Sequence, residues 1–479
     1  MRILHTSDWH LGRTFHGRVL DDAQATFADH LIDLVDSEQV DAVVISGDVY
    51  DRAIPPTAAV RLLDDTLCRL ADRTRVVLTP GNHDSAQRLG FAAALLREGL
   101  DLRVRVADVD RPVIIPDAAG RPGLYVYALP YLDPDAARVS LPRLLAERLG
   151  EGEGSGVRGD DAAPADLAVP SPADGESPAS ADDVDSPSRA DSPSQTGSGL
   201  LPRSHEAVVS GALRLVARDL ASRRADDAAR VPALAMAHAF VVGAQASPDS
   251  ERDIRVGGVD SVPTGVFTTL GGSPLAGASG GLDYVALGHL HRPQELHGPA
   301  RNRGADGAQA VAEAAGTGAS HPRLVYSGSP LPFSFPEADA AKSSVLLELD
   351  ASGVTRLERI PTPTPYRPTT LRGTLEELLA PANAAHATDW IRVELTGPMP
   401  SGTMAQLKDR FPNLLAFSHA RPEREQRETI TISRASDPVE VADRFLAEML
   451  GDAPSPAQHA IMSEVYDAAR RQTSSKEER

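Results

Sequence analysis

Cysteine and lysine are nearly absent: the 479-residue chain has one cysteine, Cys68, and three lysines, Lys342, Lys408 and Lys476. A lone cysteine excludes an internal disulfide framework. Its place in the helical pattern VRLLDDTLCRLA predicts a buried packing position. With so few lysines, any phosphate contacts must be arginine contacts, planar and bidentate. No stretch approaches ~18 unbroken apolar residues, so a helical membrane span is excluded, and the opening MRILHTSDWH lacks the apolar core of a secretion signal. These absences together lead us to expect a cytoplasmic protein. No GxxxxGK[ST] string occurs, so any ATP dependence must come from a partner.

The remaining composition is that of a globular protein, with 41% hydrophobic and 24% charged residues. At this length two or three domains are expected. The net charge of −19 argues at first sight against a nucleic-acid partner. Its distribution weakens that argument. Residues 151–200 hold eleven acidic residues against Arg158 and Arg189, a local charge of −9. The rest includes carboxylates placed below as metal ligands, whose charge a cation would offset.

The first 135 residues alternate strand and helix patterns: RILHTS, DDAQATFADHLIDLVDS, DAVVISG, VRLLDDTLCRLA, RVVLTPG. That alternation predicts an α/β layered domain. Residues 150–205, rich in Ser, Pro, Asp, Gly and Ala, read as a low-complexity, disordered insertion, and 297–323 as a second. VPALAMAHAFVVGA and LDYVALGHLH restore buried strand character, and SSVLLELD with VTRLERI predicts a hairpin closing a domain over 1–360. After the proline-rich PTPTPYRP hinge, 369–435 reads as a small α+β domain, including a Ser401-capped helix and strands LLAFSHA and ETITIS. Asp437-Pro438 and Ser455-Pro456 announce two tail helices within 437–472. Their stripes, Ala442, Phe445, Leu446, Met449 and Leu450, then Ile461, Met462, Val465, Tyr466 and Ala469, either pack on their own protein or dock a partner helix.

Four short strings carry the chemistry: SDWH (Ser7–His10), GDVYD (Gly47–Asp51), PGNHD (Pro80–Asp84) and GHLH (Gly288–His291). Each follows strand-forming residues and supplies oxygen or imidazole donors, and ligands gather at strand C-termini in such folds. Asp8 and His10 are two apart, as are His289 and His291, so an extended backbone would send each pair to one side. Asp48, at the end of DAVVISG, is the natural bridge between two cations. Asn82 offers an amide oxygen and His238 a further imidazole. Each alone has an ordinary reading: Asp48 as a turn cap, His238 as a core histidine, PGNHD as a turn. Seven such residues together predict a dinuclear centre of the manganese, iron or zinc kind, since magnesium prefers oxygen alone. Two cations roughly 3.5–4 Å apart would polarise a phosphodiester and activate a bridging water as hydroxide. His83 is the candidate proton donor to the leaving oxygen; Asp84 either orients His83 or caps the following helix.

These strings resemble the calcineurin-like metallophosphoesterase superfamily. SDWHLGR, ALPYLDP, ALGHLHRPQ and YSGSPLPFSFPEADAAKSSVLLELD narrow the similarity, over most of 1–360, to the nuclease subunits of bacterial exonuclease complexes. The resemblance implies a β-sandwich flanked by helices, an α+β capping domain and a helical docking tail. It puts Asp8, His10, Asp48 and His291 on one metal and Asp48, Asn82, His238 and His289 on the other, with manganese favoured. It further implies 3′→5′ exonuclease action on duplex DNA and endonuclease action on single strands and hairpins. The partner would be an ATPase with a coiled coil, the setting DNA repair, recombination and replication, and the nuclease a homodimer within a heterotetramer. One departure stands out: Asp51 occupies a position where related archaeal and eukaryotic chains carry a phosphate-positioning histidine, a role open here to Arg52 or Arg13. A small-substrate phosphoesterase, such as a cyclic-nucleotide phosphodiesterase, would share the site without needing the added domain.

Overall fold

The computed structural model describes residues 1–96, 98–150, 199–245, 261–276, 280–296, 321–420, 441–443 and 454–465. Most of both insertions, the ETITIS strand, the Phe445–Leu450 part of the first tail stripe, and Tyr466 and Ala469 of the second lie outside them. By contact the chain divides into two units, Met1–Glu394 with Pro400–Ser418, and Leu395–Met399 with His419–Arg479.

In chain order the main elements are β1 (Arg2–Thr6), α1 (Asp21–Ser37), β2 (Ala42–Ser46), α2 (Thr57–Ala71), β3 (Arg75–Thr79), β4 (Leu100–Leu102), β5 (Val113–Pro116) and β6 (Pro122–Ala128). Then come α3 (Pro134–Leu149), α4 (His205–Asp226), β7 (Ala233–His238), β8 (Tyr284–Gly288), β9 (Gln294–Leu296), β10 (Arg323–Tyr326), β11 (Ser343–Asp350) and β12 (Gly353–Pro361). A further sheet is formed by β13 (Pro368–Gly373), β14 (Trp390–Thr396) and β15 (Leu414–Ala420), with α5 (Thr403–Arg410) between the last two.

Two six-stranded sheets, ordered β12-β11-β1-β2-β3-β4 and β9-β10-β8-β7-β6-β5, form the large unit. Strand alternation explains the layering. Ile3, Ala42, Val44 and Val77 point inward to meet Val126, Leu234, Met236 and Ala286 of the other sheet. Their neighbours Leu4, Val43, Ile45 and Val76 point outward and bury α1 and α2 through Phe27, Leu31, Leu63 and Leu67. The second sheet does the same with α3 and α4. The result is a four-layer α/β/β/α sandwich. β1–β2–β3 and β6–β7–β8 each run parallel, so their C-terminal ends align on one rim.

Two local readings need correction, and one helix escapes the sequence patterns. Cys68 is exposed: Leu63, Leu67 and Leu70 take the inward stripe of α2 and turn the thiol outward. The N-cap of α5 is Gly402, at φ 85°, and Ser401 makes no cap there; the turn is tied instead by Thr403 Oγ1 donating to the Pro400 carbonyl at 2.7 Å. Helix α4, 22 residues long and capped by Ser204, was not anticipated. Its Arg and Asp residues interrupt the apolar rows, yet ten of its residues, among them Val208, Ala212, Leu213 and Val216, are buried.

In the smaller unit, residues 456–465 are helical. Ser455 and Gln458 cap this helix reciprocally, Gln458 N donating to Ser455 Oγ at 3.4 Å and Ser455 N to Gln458 Oε1 at 2.8 Å. Ile461 and Val465 are each 59% exposed.

Candidate metal centre

The seven ligand-type residues converge on the shared rim. Because β1 and β2 are parallel neighbours, the loops leaving them run side by side: Asp8 N donates to Gly47 O at 3.1 Å and His10 N to Asp48 O at 3.0 Å. The second sheet is tied in by His289 N, which donates to Asp8 Oδ1 at 2.9 Å, and by the Ser46 carbonyl, which accepts from His238 Nδ1 at 3.0 Å. The backbone differs from the extended one expected. Asp8, His10, Asp48 and His289 all have positive φ, at 54°, 44°, 49° and 103°. Asp8 and His10 therefore do not meet through strand alternation, since each lies past the end of β1 with a left-handed backbone. Non-glycine residues in that region are strained, and such strain concentrates at functional sites.

Glycines let the loops approach. A Cβ on Gly288 would lie 1.8 Å from the Ser46 carbonyl that holds His238, and one on Gly81 would lie 2.2 Å from Asp48 Oδ1. Gly288→Ala is expected to destabilise the fold by about 1–3 kcal/mol through overpacking and to reduce bound metal, both read by thermal unfolding and metal analysis.

The donors fall into overlapping triads. Asp8, His10 and His291 place ligand atoms within 4.8 Å of one another, as do Asp48, His238 and His289, and His10, Asp48 and His83. His10 Nε2 and His291 Nε2 face each other at 3.0 Å. Asp48 Oδ2 lies 3.7 Å from His10 Nε2 and 3.4 Å from His238 Nε2. Asn82 Oδ1 is 2.9 Å from His238 Nε2 and 3.3 Å from His289 Nδ1.

This donor set fits divalent metal. Burial holds His10 well below the ordinary imidazole pKa and His289 down to about 3, so both are neutral lone-pair donors. Burial would push the Asp48 carboxyl up, but His238 beside it holds it well below the carboxylate range. Burial would likewise lower His238, yet the Asp48 charge raises it to about 9. A cation would take over the charge compensation that this proton supplies. The mixed imidazole and oxygen donors, crowded at contact distance and, apart from half-buried Asn82, buried, are a divalent-metal arrangement.

His83 and Asp84 divide differently from expectation. His83 Nδ1 donates to the Asp51 carbonyl at 2.7 Å, and its ring lies 4.8 Å from that of His10. Asp84 neither orients His83 nor caps a helix. Its carboxylate accepts from Val49 N at 3.0 Å, Tyr50 N at 2.9 Å and Gly81 N at 2.9 Å, clamping two ligand loops together. Ser85 is the helix cap. Burial, reinforced by Asp48, raises Asp84 to about 7. Asp51 thus meets His83 through its backbone, while its carboxylate lies 3.8 Å from His10 Nδ1 and 3.7 Å from Arg13.

Beside the centre lies a cleft of about 380 Å³ lined by Arg13, His16, Phe333, Phe335 and Arg392. Phe333 joins the two, its ring 5.3 Å from His10 and 4.9 Å from the Arg13 guanidinium carbon.

Residues 1–125 match the calcineurin-like phosphoesterase family, and residues 367–449 match the type 5 capsule protein repressor C-terminal domain. The chain is 32% identical over 407 residues to the SbcD subunit of nuclease SbcCD from Rhodobacter capsulatus, covering 82% of this chain and 78% of that one. The chain belongs to the SbcD family. Other SbcD relatives are those of Bacillus subtilis, 31% identical over 73% of this chain and 66% of that one, and Escherichia coli K12, 26% identical over 91% and 88%. The layered α/β architecture is the calcineurin-like metallophosphoesterase fold of SbcD. As an SbcD family member the chain is a hydrolase, a nuclease that uses divalent metal. No helix among the described residues is long and apolar enough to cross a membrane.

Proposed function

We propose that this SbcD-family chain is a two-metal DNA nuclease, most active with Mn²⁺, degrading duplex ends 3′→5′ and cutting single strands and hairpins. The observation that carries this reading is Asp48, which stands in one triad with His10 and in another with His238 and His289. We assign Asp8, His10, Asp48 and His291 to one cation and Asp48, Asn82, His238 and His289 to the other. Two bound cations would neutralise the phosphodiester charge and lower the pKa of the attacking water. The chain's own residues do the rest. The Asp51 carbonyl can only accept, so it fixes the proton on His83 Nδ1 and leaves Nε2 facing the reaction. A proton carried there can pass to the leaving 3′ oxygen. Arg13 and Arg392, on the adjoining cleft, supply phosphate contacts for a bound strand. Equilibrium titration with Mn²⁺ tests the reading: two ions per chain are expected, and a single ion would sink it.

The assembly reading has its own support. The relatives are named as subunits of SbcCD, and this chain is proposed to work with an SbcC-like coiled-coil ATPase on DNA in the cytoplasm, in repair, recombination and replication. Exposed Ile461 and Val465 on the tail helix suit a docked partner helix. We further propose the domain plan 1–360 nuclease, 369–435 cap and 437–472 docking segment. Phe91 and Leu95, 83% and 85% exposed just beyond the Asn82 loop, favour a homodimer within that heterotetramer. Phe91→Asp with Leu95→Asp is expected to give a monomer by light scattering with metal binding retained; an unchanged dimer would rule out this surface.

A further inference from the structure

Behind His291 the structure buries an ion pair that no step above uses. Glu337 ends a short 3-10 turn (Phe335–Glu337), and Lys342 immediately precedes β11. Their side chains are 0% and 2% exposed, and the Lys342 ammonium contacts Glu337 Oε2 directly. Lys342 Nζ also donates to the His291 carbonyl at 2.9 Å and to Ser329 Oγ at 2.8 Å. The other Glu337 oxygen, Oε1, accepts from Ser334 Oγ at 3.1 Å and faces His291 Nδ1 at 3.4 Å. His291 is therefore gripped at its backbone by the lysine and at its ring by the carboxylate.

Stability alone does not account for this arrangement. Two fully buried charges are costly to desolvate, and apolar residues of the same volume often serve the fold as well or better. The pair's orientation toward a ligand has a chemical consequence. The Lys342 ammonium, in contact with Oε2, supplies the counter-charge for a Glu337 carboxylate whose other oxygen faces His291 Nδ1. An ionised carboxylate can only accept, so Nδ1 carries the proton and the Nε2 lone pair points toward His10 Nε2, 3.0 Å away. The comparable imidazole His238 leans on a backbone carbonyl. His10 Nδ1 also faces a carboxylate, Asp51 Oδ1, but more loosely, at 3.8 Å against 3.4 Å from His291 Nδ1 to Glu337 Oε1.

We propose that Glu337, held by Lys342, is a positioning residue that sets the tautomer and basicity of His291 and so strengthens one of the two cation sites selectively. The proposal rests on the two-metal reading. Its test is Mn²⁺ titration of the full chain, with free ion followed by electron paramagnetic resonance, beside thermal unfolding. Glu337→Gln removes the charge from the ring. Glu337→Leu combined with Lys342→Met removes both charges, so no unpaired lysine is left to unfold the protein. In both variants one Mn²⁺ site should weaken by about 10–100-fold while the Asn82–His238–His289 site holds. The double variant should melt no lower than wild type, and its nuclease activity should return at high Mn²⁺ with turnover near normal. Two wild-type affinities in the double variant would overturn the proposal, as would equal weakening of both sites alongside a lowered melting temperature. Wild type binding fewer than two ions would instead overturn the underlying two-metal reading, and the proposal with it.

Discussion

Asp48→Asn is expected to abolish binding at both cation sites and cut phosphodiester turnover by about 10³-fold or more, since losing even ~4 kcal/mol of metal-supplied transition-state stabilisation has that effect. The substitution is nearly isosteric. Asparagine tolerates the left-handed backbone found at φ 49°, and its amide oxygen can still accept from His83 N, which Asp48 Oδ1 does at 2.9 Å. The fold should therefore survive while the negative charge disappears. That charge lies 3.4 Å from His238 and 3.7 Å from His10, so both triads lose their shared anion together. Metal analysis and hydrolysis of a simple phosphodiester check this. Retention of two ions with near-normal turnover would remove Asp48 from the bridging role.

His83→Gln is expected to behave oppositely in one respect: both metals stay, and turnover falls by roughly 10²–10⁴-fold, the usual range for a lost general acid. His83 does not belong to either proposed ligand set, and its ring is fixed from behind by the Asp51 carbonyl. Glutamine can keep a donor toward that carbonyl but cannot carry and release a proton near neutral pH. A phosphodiester with a very acidic leaving group needs no proton and should be hydrolysed nearly as fast by the variant. An empty metal site in the variant, or equal loss on both ester types, would exclude the proton-donor role.

The two outcomes separate residues that hold charge from one that moves a proton, and sequence reading reached them unequally. Strands β1, β2, β3 and β8 were legible as short, mostly apolar runs leading into the four ligand strings, and β7 as one ending in His238. The convergence of the seven ligand-type residues on one rim was legible for a related reason: in such layered sheets the strand ends that turn polar gather at one edge. What stayed hidden depends on contacts distant in sequence. Asp84 reads as a helper of its neighbour His83, but its partners are the backbone amides of Val49 and Tyr50, 35 and 34 residues away. Asp51 reaches His83 through a carbonyl, which side-chain identity does not report. Glu337 and Lys342 look like ordinary surface charges in FPEADAAKSS until the fold buries them behind His291. The positive φ values at Asp8 and His10 were likewise unreadable, since spacing alone is compatible with both a pleated strand and a tight turn.

The most direct test of the two-metal nuclease reading is digestion of a 3′-labelled DNA duplex by the purified chain in Mn²⁺, with a chelator and the Asp48→Asn variant as controls. Labelled mononucleotides should be released with Mn²⁺ and should vanish in both controls. Release that persists with chelator or in the variant would contradict the account, as would no release even after an SbcC-like ATPase is added.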